Sequence, residues 1–230
     1  MADRILIADD EAFSRRMVAS MLREDWPDGG VTAVASSAEA LIELTGPTAH
    51  RIKMLISDFN MPGINGLQLL KAIRLGVDGV RRDLPVMLLT GHADRALIGM
   101  ALALDADAFL AKPIAKGTLR DKIARVLAAP RSVKPIEAYA LINPREDMLA
   151  HWREGDSPAA APVPNDESSP SISLPLAEVP EDSILAAPIR FPDGTDVVPA
   201  GRRLGRALLD RLADLKAMGL PVEPVHIQAQ

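Results

Sequence analysis

Five short apolar runs punctuate the first half of the chain: Arg4–Ala8, Val31–Ala35, Ile52–Ser57, Pro85–Thr90 and Ala108–Ala111. Each is apolar at consecutive positions rather than at alternate ones, the pattern of a strand buried on both faces. Between them, apolar residues recur at helical spacing over residues 12–24, 37–45, 65–75, 93–104 and 116–128. Strand and helix alternating five times predict a parallel sheet with helices on both sides, an α/β doubly wound fold.

The pattern breaks near Pro130. Five prolines fall in residues 1–129 and fourteen in the remainder. Pro130, Pro135 and Pro144 interrupt regular elements, with room for a short helix at Ile136–Ile142. The stretch HWREGDSPAAAPVPNDESSPSISLPLAEVPED then mixes proline with Ala, Ser, Asp and Glu. Such a composition buries too little apolar area to offset chain entropy, so residues 130–183 are expected to be a mostly extended or disordered linker. Order resumes where Ile184–Phe191 and Thr195–Pro199 flank Pro192-Asp193-Gly194, a hairpin signal. Leu204, Leu208, Leu212 and Leu215 share one helical face over residues 203–218, with Gly219 as cap, Pro221 as stop and a last strand at Val222–Ile227. The expected organisation is therefore a first domain at 1–129, a linker at 130–183 and a small hairpin–helix–strand module at 184–230. So small a module is marginal alone. Its leucine stripe predicts docking on the first domain or on a second copy, a homodimer.

Composition narrows the function classes. Hydrophobic residues make up 48% of the chain and charged ones 25%, enough for a packed core. With no cysteine, disulfides, thiolate metal sites and cysteine nucleophiles are excluded, and a reducing, cytoplasmic setting is expected. The opening MADRILIADD places three aspartates where a secretory leader carries its apolar run, and the charge-free stretch Ala96–Leu104 is far short of a membrane span. Residues 1–129 hold 16 basic and 16 acidic side chains, residues 130–230 hold 10 and 15. Neither part has the basic excess that drives phosphate-backbone binding, so nucleic acid is disfavoured as a partner despite Arg202, Arg203, Arg206 and Arg211 near the last helix.

Open parallel sheets bind ligands beyond the carboxyl ends of their strands. At those ends lie Asp9 and Asp10 after the first strand, Asp58 after the third, Thr90 after the fourth and Lys112 after the fifth. Taken singly, an aspartate there is a helix cap and a lysine a solvated charge. Together they converge on one sheet edge, where three carboxylates repel and demand a cation. Hard oxygen ligands without His or Cys point to Mg2+.

The segments ILIADDE, LISDFNMPGINGLQLL, LPVMLLTGHA and DAFLAKPI resemble the receiver domain of two-component response regulators, over about residues 3–129. The resemblance implies a flavodoxin-like sheet of order 2-1-3-4-5 and Mg2+-dependent transfer of a phosphoryl group to Asp58. It further implies that Asp9 and Asp10 hold the metal with Asp58 and the backbone carbonyl of Asn60, and that Thr90 and Lys112 contact the phosphoryl oxygens. A cis Lys112–Pro113 bond belongs to the same pattern. Phe109 falls at the aromatic position that follows Thr90 in the switch, and Asn60 and His92 flank the path of an attacking water and tune phosphoryl lifetime. Residues 93–128 become the responsive face. A sensor histidine kinase or phosphotransfer protein is the implied upstream partner, with an unknown protein downstream.

The tail from Ile184 more weakly resembles the hairpin–helix segment ahead of HD-type cyclic di-GMP phosphodiesterase domains. No His-Asp metal dyad follows it, and His50, His92, His151 and His226 have no metal-ligand spacing, so hydrolase activity is not carried over. The expectation is a response regulator that is not an enzyme beyond accepting phosphate on its own Asp58. The alternatives are an aspartyl-nucleophile phosphohydrolase, which requires DxDx[TV] where this chain has ADDEA, and a phosphorylation-independent adaptor.

Overall fold

The apolar runs form strands β1 (Arg4–Ala8), β2 (Val31–Val34), β3 (Ile52–Asp58), β4 (Val86–Thr90) and β5 (Ala108–Ala111) in a computed structural model that describes residues 3–91, 95–142, 171–190 and 196–229. All pair in parallel, in the order β2-β1-β3-β4-β5. The helices between them are α1 (Ala12–Leu22), α2 (Ser37–Thr45), α3 (Gly66–Leu75), α4 (Arg95–Ala103) and α5 (Lys116–Ala128). This is the flavodoxin-like arrangement, in which the chain reverses its winding between β1 and β3. The chain divides into two units, residues 1–92 with 103–144 and residues 93–102 with 145–230, so all of α4 but Ala103 is assigned to the second.

Continuous apolarity in the strands is explained by burial on both faces. Ile5, Ile7, Met54, Ile56, Met87, Leu89, Ala108 and Leu110 form one core with Val18, Ala19 and Leu22 of α1 and Leu119, Ile123 and Val126 of α5. The intervening residues Leu6, Leu55, Leu88 and Phe109 point the other way and are equally inaccessible. Local chemistry sets the helix ends. Ser36 accepts a hydrogen bond from Glu39 N at the start of α2, and Asn65 and Gln68 form a reciprocal capping box on α3. Gly76, at φ 72°, closes α3 in the left-handed conformation.

The composition break at Pro130 is not where this unit stops. Residues 131–142 continue it through a one-turn helix, α6 (Ile136–Ala140), beside α3. Tyr139 is fully buried there and donates to Asp105 Oδ2 at 2.8 Å. Arg82 Nη2 donates to Lys134 O at 2.6 Å, and Arg131 pairs with Asp107. Prolines rule out a long helix but not an irregular segment whose polar groups find fixed partners, and this is the reason for the difference from the expected linker.

In the second unit, β6 (Ser171–Leu174) pairs antiparallel with β11 (Val225–Gln228), and β7 (Ser183–Ile184) with β10 (Arg203–Leu204). Ordered structure thus resumes ahead of the expected start at Ile184. The expected hairpin is narrower, β8 (Ile189–Arg190) against β9 (Asp196–Val198), and its Pro192-Asp193-Gly194 turn lies outside the described residues. The helix is α7 (Arg206–Ala217), followed by Gly219 at φ 79°. Leu204 belongs to β10 rather than to the helix, and Leu204, Leu212 and Leu215 are buried within the chain. Leu208, the remaining member of the stripe, is half-buried. No described helix is long and apolar enough to cross a membrane.

Candidate functional site

The carboxyl edge of the sheet brings the predicted residues together. Pairing of Ala8 with Ser57, Asp58 with Leu89 and Thr90 with Ala111 brings the four strands β1, β3, β4 and β5 to an end at one level. Asp9 follows β1, with its N–H on Val34 O at 3.2 Å, and its side chain is 0% exposed. Asp58 ends β3 and is nearly buried. Lys112 follows β5, its N–H donating to Thr90 O at 2.8 Å, and the Lys112–Pro113 bond is cis.

Lys112 Nζ lies 3.0 Å from Asp9 Oδ2 and 3.0 Å from Asp58 Oδ1, so one ammonium bridges two carboxylates on separate strands. Asp10 is exposed, yet oxygens of Asp9, Asp10 and Asp58 all lie within 4.8 Å of one another. Three carboxylates against one ammonium leave the cleft with excess negative charge. Burial pushes the Asp58 carboxyl above the usual carboxylate range, the Asp9 charge adds to this, and Lys112 opposes it. Burial alone would lower the Lys112 ammonium, but hydrogen bonds and charge from Asp58 and Asp9 outweigh it and hold lysine above its ordinary value. Lysine is thus charged, and the cleft still lacks positive charge. The donor set is all oxygen, close-spaced and rimmed by solvent at Asp10, which fits a hard, partly hydrated divalent cation.

The loop after β3 is anchored by buried Phe59 and Met61 on either side of exposed Asn60. Gly66 N donates to Phe59 O at 3.0 Å, and a Cβ at Gly66 would overlap the Asp58 carbonyl oxygen. Thr90 is buried at the end of β4. Phe109 is buried in β5, facing away from Ala108 and Leu110. His92 lies outside the described residues.

Three residues that motif reasoning passed over complete the site. Ser14 Oγ donates to Asp9 Oδ2 at 2.6 Å, and Glu11 N donates to Asp9 Oδ1 at 2.9 Å. Arg15 Nη1 donates to the carbonyls of Asp9 and Asp10 at 2.6 and 3.2 Å. The signal for Ser14 was present: it shares the buried stripe of α1 with Val18 and Leu22, where a polar residue needs a partner.

The model of the family described as "Response regulator receiver domain" matches residues 5–124. The chain is 32% identical over 123 residues to the chemotaxis protein CheY of Pseudomonas aeruginosa, a match covering 54% of this chain and 94% of that one. CheY-3 of Vibrio cholerae is likewise 32% identical over 123 residues, with 54% and 90% covered. Among solved structures, CheY4 of Vibrio cholerae aligns at a TM-score of 0.47 and 28% identity, over 55% of this chain and 99% of that chain. A receiver domain of a Pseudomonas aeruginosa sensor histidine kinase, holding a magnesium ion in its active-site cleft, aligns at 0.48 and 23% identity, over 56% and 100%. Through the matched half of its length, which contains every strand of the parallel sheet and the acidic cleft, this chain belongs to the response regulator receiver family.

Proposed function

We propose that the protein is a response regulator in which Asp58 accepts a phosphoryl group from a phosphohistidine on a sensor histidine kinase or phosphotransfer protein. The observation that carries this reading is the Lys112 ammonium 3.0 Å from both Asp58 Oδ1 and Asp9 Oδ2, beside an acidic cleft with room for a cation. A free Asp58 oxygen attacks phosphorus in line, the new O–P bond forms as the donor N–P bond breaks, and the departing imidazole takes up a proton. The transition state is loose and asks mainly for alignment and charge neutralisation. Lys112 meets one developing charge and the Thr90 hydroxyl another. Mg2+, held by Asp9, Asp10, Asp58 and the Asn60 carbonyl, supplies the remaining positive charge when bound.

The new phosphate adds about −1.5 to −2 of charge at the strand edge. Thr90 and Phe109 relay it to the 93–128 face, and Asn60 and His92 govern how fast water removes it. The C-terminal elements serve as the output contact for a downstream protein, and the chain has no catalytic activity besides its own phosphorylation and dephosphorylation.

The test is intact mass after incubation with Mg2+ and acetyl phosphate, run beside Asp58→Asn. One added phosphoryl group in the wild type, lost in the variant and with EDTA, supports the reading. Sustained turnover of small phosphate esters would replace it with an aspartyl phosphohydrolase, and no labelling of a folded chain with either acetyl phosphate or a phosphorylated partner would leave an adaptor.

A further inference from the structure

We infer that Ser14 is a positioning residue for the cation site: its hydroxyl, fixed in the first turn of α1, holds the Asp9 carboxylate in the orientation that serves the metal. The inference rests on the proposed receiver chemistry and extends it to a residue outside the strand-end set. Four observations converge on it. Ser14 occupies a place on the buried stripe of α1, ahead of Val18 and Leu22, where packing alone would favour an apolar side chain. A helical serine that lacks another partner bonds back to the carbonyl four residues earlier. Ser14 instead reaches Asp9 Oδ2 at 2.6 Å, while the Asp10 carbonyl is taken by Arg15.

The third observation is the division of labour around Asp9. Oδ1 is held by Glu11 N, and Oδ2 by Ser14 Oγ and Lys112 Nζ. The carboxylate plane is therefore pinned from both ends. The fourth is that the two donors on Oδ2 differ in kind. Lys112 is shared with Asp58, 3.0 Å from its Oδ1 and 3.0 Å from Asp9 Oδ2, so its charge is divided between two carboxylates. Ser14 gives its one hydroxyl proton to Asp9. Its hydroxyl is rooted in a helix turn and buried, so it keeps Asp9 aligned. Partners that orient a metal ligand typically change metal affinity by about 10- to 100-fold when removed.

The experiment is isothermal titration of Mg2+ into the full chain, as wild type, Ser14→Ala and Ser14→Thr. It is paired with acetyl phosphate labelling rates measured across Mg2+ concentrations. Ser14→Ala is expected to weaken Mg2+ binding by about 10-fold, and its labelling rate should return to the wild-type plateau once Mg2+ saturates. Ser14→Thr, which keeps the hydroxyl, should restore affinity to within about 3-fold. Equal Mg2+ affinity in wild type and Ser14→Ala overturns the inference while leaving the receiver reading intact. So does a labelling plateau that stays low at saturating Mg2+, which marks a merely structural role. A wild-type chain that neither binds Mg2+ nor takes a phosphoryl group overturns the receiver reading, and this inference with it.

Discussion

Tyr139 donates its phenolic hydroxyl to Asp105 Oδ2 at 2.8 Å and accepts from Lys134 N at 2.9 Å, tying the segment after α5 to the turn before β5. The ring also lies under two cations, Arg82 at 5.8 Å and Lys134 at 5.6 Å from its centroid. Asp105 and Asp107 both lie just ahead of β5. The buried Arg74 guanidinium joins them, donating to Asp105 O at 2.7 Å and pairing with Asp107 Oδ2 at 3.0 Å. A proline-rich stretch thereby becomes part of the receiver unit, at the sheet edge opposite the acidic cleft.

Tyr139→Phe removes a buried hydroxyl with two partners and is expected to cost about 1 kcal/mol, and Tyr139→Ala about 3–5 kcal/mol through the cavity. Burial is the first cause that raises the phenol above its ordinary value, and Asp105 adds to it. A folded value above the unfolded one means the contribution is complete below about pH 10 and is lost as pH rises through the folded value. Urea melts at pH 8 and pH 11 should show a larger alkaline loss in wild type than in Tyr139→Phe. Equal losses would remove the phenol from the account.

Lys112→Ala leaves Asp9, which is wholly buried, facing Asp58 without a counter-charge. Breaking such a pair costs about 3 kcal/mol. A divalent cation would then take over the missing charge. Mg2+ is expected to raise the urea midpoint of Lys112→Ala more than that of wild type, and an equal shift would show that the cation does not share the lysine's electrostatic role.

Gly66→Ala sets a methyl group against the Asp58 carbonyl, a backbone atom that cannot swing aside. The expected cost is about 1–3 kcal/mol from overpacking, together with slower labelling of Asp58 because the end of β3 must shift. A variant with wild-type stability and labelling rate would mean that the loop yields freely.

Leu212→Ala opens a cavity in the second unit, where Leu212 is fully buried, and should cost about 2–5 kcal/mol there. Hydrogen exchange should quicken in residues 203–227 while phosphoryl labelling of Asp58 is retained. Unchanged protection would show that the leucine stripe contributes little to these elements.

The five strands of the sheet and the residues at their carboxyl ends were legible in the sequence by itself, because both depend on local regularity. Apolar runs buried on two faces must be continuous, and Asp9, Asp10, Asp58, Thr90 and Lys112 stand at or just past the carboxyl ends of four of those runs. Arg4–Ala8 and Ala108–Ala111 appear as strands with the bounds that the pattern predicts. Partnerships across long stretches of chain were decided only by the tertiary structure. β6 pairs with β11 between Ser171 and Gln228, Arg74 reaches Asp107, and Tyr139 reaches Asp105. Such contacts leave no periodic trace, since each partner reads locally as a surface polar residue or a loop. Ser14 stands between the two cases. Its place on a buried helical stripe was visible, but that its partner is the Asp9 carboxylate depends on α1 lying against the end of β1, a matter of packing rather than pattern.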